Sequence, residues 1–310
     1  MRASWEGAAA HGGRGGKART CRTQLVVGGV VFFLLQYREL LLGRVPALAR
    51  RPFSRDALPA GDNPWGELDH LIVVCGHAVL TTHAALTPES VLRDDAWALE
   101  PYQRGSGQVR AFVQHIAKGV ELAARDARAL LLFSGGMTRH GAGPRSEAKS
   151  YWEVADALGW SGHAAVRERA LLEEHAHDSF ENVLFSLCRF RQLTGAYPRQ
   201  LTVVSFGFKR RRFAQMHRAA LRWPERRFAF VGIDPAEGVS QAVRDGEHLN
   251  SAALFAHDPY GCVDARLTAK RLARNPFHDM AGYPKHCPEL QELFAYCSDA
   301  IYAGELPWAE

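Results

Sequence analysis

Three short polar segments, each bearing glycine, directly follow apolar runs of the chain. They are Gly76-His77, Ser134-Gly135-Gly136 and Ser205-Phe206-Gly207. Small residues at such positions let a ligand approach the backbone, whose N–H groups can bind an anion. Each segment alone is also ordinary turn chemistry. Their shared placement predicts a ligand site, with the contributing residues Gly76, His77, Ser134, Gly135, Gly136 and Ser205.

A run of four cations, Lys209-Arg210-Arg211-Arg212, opens a predicted helix. The helix dipole disfavours each cation there by roughly 0.3–1 kcal/mol. A bound anion would offset this cost, because N–H donors, dipole and side chains all favour negative charge. The alternative is a solvated face, with some of the four pointing into water. We expect Lys209 and Arg212 to supply positive charge to an anionic ligand held by the Ser134-Gly135-Gly136 loop.

Four carboxylates, Glu147, Glu174, Asp178 and Glu181, occur close to these segments in the sequence. Asp178 and Glu181 have the spacing of a capping box, and Glu147 begins a helix, where an acid is favoured in any case. Paired carboxylates can also act as acid and base or hold a hydroxylated ligand. No catalytic residue follows from spacing alone. We assign to the ligand site the residues Ser146, Glu147, Glu174, Asp178, Ser179, Glu181, Asn182, Lys209 and Arg212.

The elements that must position these residues are alternating strands and helices. Continuous apolar runs predict strands buried on both faces, which is typical of parallel sheets; they are Leu71–Cys75, Ala129–Phe133, Leu201–Val204 and Phe228–Val231. Amphipathic segments predict helices over 108–124, Ser146–Leu158, Ser179–Leu193 and Lys209–Arg222. The pattern predicts an α/β fold with a doubly wound, mainly parallel sheet and helices on both faces. Ligands of such sheets bind outside the carboxyl ends of the strands.

The charge distribution argues against nucleic-acid binding. The chain of 310 residues has a formal net charge of +5. Residues 1–66 carry ten Lys and Arg against four acids, whereas the remainder carries 28 against 29. Neutralising phosphates needs a broad excess of Lys and Arg, and the body of the chain is nearly neutral. We therefore expect no nucleic-acid partner.

The six cysteines form no Cys-x-x-Cys pair. Near the C-terminus, cysteines and histidines occur together, but their spacing matches no zinc-ligand pattern, so we expect no metal. Cys188, within a predicted amphipathic helix, is expected to act as a small hydrophobe. We expect a reducing compartment rather than a disulfide framework.

The N-terminal segment divides into three parts before a domain at 67–310 that ends in a helical extension. Residues 1–24 are rich in Gly and Arg and are expected to be disordered. Residues 25–43 contain eleven consecutive residues without a polar side chain, short of the about twenty that a bilayer span needs. Residues 44–66 contain four prolines and are expected to be a linker.

Three alternatives remain for the apolar part. The first is a single membrane anchor. The second is an organellar presequence, which would place the protein in mitochondria. The third is a soluble helix that packs on the domain of a cytoplasmic protein. Basic residues flank both ends of the segment, so charge predicts no orientation.

Five elements in order resemble the YdcF/SanA/ElyC-like family of uncharacterised α/β proteins. The elements are Val73-Val74-Cys75-Gly76-His77, Ser134-Gly135-Gly136, Ser146-Glu147-Ala148, Glu174 with Asp178-Ser179-Phe180-Glu181-Asn182, and Ser205 through Arg212. The similarity covers about residues 68–234, and the chain after 235 resembles a eukaryotic branch with fungal members. In that family, Thr usually stands at Ser179 and His at Lys209. A lysine there suits charge complementarity better than proton transfer.

The resemblance implies a Rossmann-like fold, S-adenosylmethionine binding in one bacterial branch, and envelope-related roles in membrane-anchored branches. It implies no defined reaction, and no Gly-x-Gly-x-x-Gly follows the first strand. Two functional hypotheses follow. One is a binder of a small anionic or nucleotide-like ligand, with S-adenosylmethionine as a candidate cofactor and a transferase or hydrolase as candidate activities. The other is a membrane-tethered, non-catalytic domain that acts through protein partners.

Overall fold

A computed structural model of the chain describes residues 63–81 and 85–309. The predicted tail 1–24, the apolar segment 25–43 and most of the linker 44–66 lie outside the described residues. The described residues belong to one compact unit. Within the described ranges, no helix has both the length and the apolar character needed to cross a membrane.

The centre of the fold is a five-stranded sheet in which every pairing is parallel. Its strands are β1 (His70–Cys75), β4 (Ala129–Ser134), β5 (Ala170–Glu173), β6 (Gln200–Ser205) and β7 (Phe228–Gly232), in the order β5-β4-β1-β6-β7. The chain winds outward from β1 first in one direction and then in the other. The predicted α/β, Rossmann-like doubly wound sheet is confirmed.

Alternate side chains of the strands enter two separate cores, which explains why the strand sequences are apolar throughout. Ile72 and Val74 face the core that contains helix α1 (Gln108–Arg125) and helix α2 (Glu147–Ala157). Leu71 and Val73 face the core that contains helix α3 (Ser179–Thr194) and the C-terminal part of the chain. Helices therefore cover both faces of the sheet, as expected.

The remaining helices are short, and most follow β6. A π-helical segment, Arg212–His217, leads into α4 (Arg218–Ala220). After β7 come α5 (Gln241–Glu247), a second π-helical segment (His248–Ala252), α6 (Ala253–Phe255), α7 (Ala265–Ala273) and α8 (Gln291–Ala295). Helix α7 and α8 belong to the predicted C-terminal helical extension, which packs on the α3 side of the sheet.

Three features of the fold differ from what the sequence predicts. Strand β5 was not predicted, because its four residues end in a buried glutamate, Glu173. A small antiparallel pair, β2 (Val79–Leu80) with β3 (Trp97–Ala98), follows β1. The predicted linker ends earlier than residue 66, because Asn63 bonds to the carbonyl of Leu193 and Trp65 to that of Glu168.

Four of the six cysteines are paired, so the expectation of free thiols was wrong. Disulfides join Cys188 to Cys287 and Cys262 to Cys297, closing sequence separations of 99 and 35 residues. Cys188 lies in α3 and is a cross-link rather than a small hydrophobe. Cys188 and Cys287 meet because the C-terminal extension folds back over α3, whereas Cys262 and Cys297 both lie in the chain after β7. Cys75 remains a free, buried thiol.

Candidate functional site

A cavity of about 890 Å³ lies outside the carboxyl ends of the central strands. Its lining includes Cys75, which ends β1, and Gly76 and His77, which follow it. Phe206, Phe208 and Lys209, which follow β6, also line it. Strands β1 and β6 are neighbours at the point where the winding direction reverses. This is the position at which doubly wound sheets bind ligands.

One wall of the cavity is a stack of three rings with an amine against it. The rings of His77 and Phe206 are 4.7 Å apart, and those of Phe206 and Phe208 are 5.0 Å apart. Nζ of Lys209 lies 5.0 Å from the centre of the Phe206 ring and 3.3 Å from Nδ1 of His77. Nε2 of His77 lies 3.3 Å from Oγ of Ser205. These contacts hold Lys209 in the cavity wall next to the carboxyl ends of β1 and β6.

The electrostatic surroundings of Lys209 and His77 favour their neutral forms. Burial, followed by the charges of Arg212 and Arg274, holds the pKa of Lys209 well below its ordinary value. Burial and then Lys209 hold the pKa of His77 well below its ordinary range. A neutral His77 can accept a hydrogen bond at Nδ1 from Lys209 while its Nε2–H donates to Oγ of Ser205.

The basic run divides into two inward and two outward residues. Lys209 and Arg212 line the cavity, whereas Arg210 and Arg211 are exposed. The guanidinium of Arg212 is almost fully buried, and its Nε lies 3.4 Å from Oε1 of Glu247. Arg210 and Arg211 therefore form the solvated face that was one expectation, and Lys209 and Arg212 are the inward cations that were the other. The π-helical geometry that begins at Arg212 is common at functional sites.

Two further cations come from the end of α7, and the sequence analysis missed them. Lys270 and Arg274 are one helical turn apart, and both line the cavity. Nζ of Lys270 donates to the carbonyl of Asn250 and to Ser251, and Arg274 donates to the carbonyl of His177. Burial, followed by Arg274 and Arg212, lowers the pKa of Lys270 to about 7. The i, i+4 spacing of Lys270 and Arg274, which places both on one face of a helix, was the sequence feature that could have indicated them.

Besides the exposed Arg104, three half-buried cations of the lining have no carboxylate in ion-pair range within the described part of the chain. They are Lys209, Lys270 and Arg274, whose polar contacts are His77, backbone carbonyls and a serine. The acids of the lining are largely occupied: Glu100 pairs with Arg139, Glu247 with Arg212, and Asp178 with Arg271. The lining consequently contains more basic than acidic side chains.

Glu147 explains why glycine follows two of the strands. A Cβ on Gly76 would lie 2.5 Å from Cβ of Glu147, and a Cβ on Gly135 would lie 2.7 Å from its Oε2. Glu147 lines the cavity and accepts a hydrogen bond from the Thr138 hydroxyl. These glycines are needed for the close approach of a carboxylate side chain.

The Ser134-Gly135-Gly136 loop does not present free amides to the cavity. The N–H of Gly135 donates to the carbonyl of Glu173, and that of Gly136 donates to the carbonyl of Ala176. Oγ of Ser134 is fully buried and donates to Oε2 of Glu173. The loop supports the site from behind. The expected anion cradle of loop amides is therefore not formed here, because the fold already uses these donors.

Asp178 caps α3 and simultaneously holds α7. Its Oδ1 accepts from the N–H groups of Phe180 and Glu181, and its Oδ2 lies 2.9 Å from Nε of Arg271. The predicted N-cap is confirmed. The return bond of the capping box differs, since Glu181 accepts from the N–H of His177 rather than of Asp178. Burial raises the pKa of Asp178, but Arg271 and the Glu181 amide outweigh it, so the pKa is lowered.

The hydroxyl and amide groups of α3 also reach the cavity. Oγ of Ser179 lies 2.8 Å from Nε2 of His217, whose pKa burial lowers to about 3. His217 is thus neutral and can accept a proton, although it is a weak base. Nδ2 of Asn182 donates to Oγ of Ser134. Ser179 and Asn182 can offer polar contacts to a ligand.

The structure brings about half of the predicted site residues into the cavity wall. Those that line it are Gly76, His77, Glu147, Asp178, Ser179, Asn182, Lys209 and Arg212. Those that do not are Ser134, Gly135, Gly136, Ser146, Glu174, Glu181 and Ser205. Several of the latter instead stabilise the elements around the cavity. Ser146, for example, caps α2 and donates a hydrogen bond to Glu174. Within the described residues, no cluster of His, Cys, Asp and Glu could hold a metal ion.

Comparison with known proteins finds similarity to the Uncharacterized protein YOR238W of Saccharomyces cerevisiae. The two are 28% identical over 264 residues, which is 70% of this chain and 86% of the yeast protein. No family model matches the chain. No solved structure matches it.

Proposed function

We propose that the protein binds a small anionic, phosphate-bearing ligand of nucleotide-like size in the cavity at the carboxyl edge of the sheet. The single observation that carries the proposal is the convergence of Lys209, Lys270 and Arg274 without a carboxylate partner among the described residues. Burying unpaired charge is costly, and a bound anion would remove that cost.

The lowered pKa values of the two lysines support the same conclusion. Each lysine loses protonation because it is desolvated beside other cations. An anion beside Lys270 would favour the charged form of that lysine, so binding would be coupled to proton uptake by Lys270. The guanidinium groups of Arg274 and Arg212 can contact phosphate oxygens in a planar, bidentate manner.

The excess of basic side chains in the lining favours a phosphate over S-adenosylmethionine. That molecule carries a sulfonium and an ammonium against one carboxylate, so its net charge is positive near neutral pH. Its sulfonium would be repelled by the cations in the lining. The rings of Phe206 and Phe208 and the exposed Tyr102 provide apolar surface for an aromatic group of a nucleotide.

A thermal-shift panel on the full-length protein tests the proposal. Pyrophosphate and ATP at low millimolar concentration, with ionic strength held constant by NaCl, should raise the melting temperature. Adenosine and S-adenosylmethionine should not. The Arg274→Met variant should lose most of the shift, which separates cavity binding from general salt stabilisation. A shift with S-adenosylmethionine and none with the phosphates would refute the proposal.

A further inference from the structure

Lys209 has the surroundings of a nucleophilic amine. Its Nζ lines the cavity against the Phe206 and Phe208 rings, at 5.0 and 5.8 Å from their centres. Its polar neighbour is Nδ1 of His77, at 3.3 Å. No carboxylate in the described part of the chain lies within ion-pair distance of it. An amine that is desolvated beside other cations is the usual form of an imine-forming lysine.

We propose that Lys209 forms an imine with a phosphorylated carbonyl compound bound in the cavity. The inference rests on the proposed anion site, because Arg274 and Lys270 would hold the phosphate while the carbonyl carbon meets Nζ. It adds a covalent reaction to what would otherwise be a binding site.

The step balances with the groups present. The lone pair of the neutral Lys209 amine forms a C–N bond with the carbonyl carbon, and the carbonyl oxygen takes up a proton that the nitrogen releases through Nδ1 of His77. The resulting carbinolamine loses its hydroxyl together with the remaining proton of the nitrogen as water, and the nitrogen lone pair forms the C=N double bond. No electrons are exchanged, so neither oxidant nor reductant is needed.

The groups around Lys209 agree with a neutral amine before the reaction. They are Cys75 at the end of β1, His77 just after it, Arg212 on its own segment, Glu247 from α5 and Arg274 after α7. Burial and the two arginines lower the pKa of Lys209 well below its usual value. His115 from α1 lies behind His77 and is held neutral by burial, with its pKa lowered to about 4.

Reductive trapping on the full-length wild-type protein tests the inference. Pyridoxal 5′-phosphate, a phosphorylated aldehyde, is added at pH 7 with borohydride, and labelled lysines are mapped by mass spectrometry. The chain has only six lysines, so each can be followed. We expect Lys209 to be labelled at least tenfold faster than Lys118, which pairs with Glu121 on the surface of α1. Equal labelling of the two, or faster labelling of Lys270 than of Lys209, would overturn the proposal.

Competition separates this inference from the anion site on which it rests. Pyrophosphate should slow labelling of Lys209 and leave that of Lys118 unchanged, and pyridoxal without its phosphate should label Lys209 more slowly. Fast labelling of Lys209 that neither change affects would support the nucleophile and refute the anion site. Thermal stabilisation by pyrophosphate without selective labelling would support the anion site and refute the nucleophile.

Discussion

Oδ2 of Asp178 lies 2.9 Å from Nε of Arg271, so the residue that begins α3 also holds α7 against it. The two residues are 93 positions apart in sequence. Because α7 contains Lys270 and ends next to Arg274, this ion pair fixes the position of these two cavity cations relative to the sheet. A role as a simple N-cap therefore describes only half of what Asp178 does.

Replacing Asp178 should cost far more stability than replacing an ordinary cap. Asp178→Ala removes the cap and one of the two carboxylates that pair with Arg271, the other being Glu181, and breaking a buried ion pair costs up to about 3–5 kcal/mol. Asp264→Ala is the matched control, because Asp264 caps α7 through the same two types of N–H bond but is paired only with the exposed Arg266. It should cost about 1 kcal/mol. Chemical denaturation measures both, and equal losses would show that the ion pair contributes nothing.

Removing the amine of Lys209 should stabilise the protein at neutral pH. Lys209→Met keeps an unbranched side chain beside the Phe206 ring and removes a desolvated amine. The melting temperature should rise by about 2 °C or more, the shift expected for roughly 1 kcal/mol. Because the pKa of Lys209 is lowered on folding, the unfolded chain binds more protons at neutral pH. The gain should therefore disappear as pH rises above about 10.4, the unfolded value.

The control for Lys209 is Lys118→Met, which removes a surface lysine paired with Glu121. Its effect should stay within about 0.5 kcal/mol. Differential scanning calorimetry at pH 7 and pH 11 compares the variants. A Lys209→Met variant that is destabilised at pH 7 would mean that the amine is stabilised by its surroundings.

The affinity for sulfate should fall as pH rises from 6 to 8. Sulfate keeps its charge over this range, so any change comes from the protein. Lys270 has a pKa of about 7 and loses its positive charge in this window, which weakens attraction for an anion. In the Lys270→Arg variant the side chain keeps its positive charge, so sulfate affinity should change less between pH 6 and pH 8 than in the wild type. Isothermal titration calorimetry at several pH values measures it, and identical profiles for the two proteins would exclude Lys270 from the site.

Breaking the Cys188–Cys287 disulfide should destabilise the domain. The bridge spans 99 residues, and loss of a native disulfide typically costs about 2–5 kcal/mol, chiefly by freeing the unfolded chain. The double variant Cys188→Ala with Cys287→Ala should show this loss in urea denaturation. When the protein is isolated from cells in the presence of a thiol-alkylating reagent, the four cysteines at 188, 262, 287 and 297 should remain unalkylated. Free thiols at these positions would contradict the pairing.

Much of the sheet could be predicted from the sequence, because strands buried on both faces are apolar at every position. The four predicted strands agree with β1, β4, β6 and β7 to within one residue. Strand β5 escaped detection because four residues that end in Glu173 carry too little signal. The burial of that glutamate depends on Ser134 and Tyr283, which no local pattern reveals.

The cavity could be predicted only in part. Lys209 and Arg212 follow a strand, so topology alone places them at the carboxyl edge. Lys270 and Arg274 reach the same cavity through a helix that folds back over α3, held by Asp178 and a disulfide. The sequence contains no local sign of that return. The loop after β4 was wrongly expected to offer amides, since its hydrogen bonds to the end of β5 depend on an unrecognised strand.

The most direct test of the central claim is to remove one cavity cation and one neighbouring cation outside the cavity. Arg274 lines the cavity, whereas Arg266, two helical turns earlier, is exposed and pairs with Asp264. Binding of pyrophosphate to the full-length protein is measured by isothermal titration calorimetry at pH 7. We predict that Arg274→Met weakens binding by about 1.5–3 kcal/mol, the range for hydrogen bonds to charged groups, and that Arg266→Met leaves it unchanged. Equal affinities for both variants would contradict an anion site in this cavity.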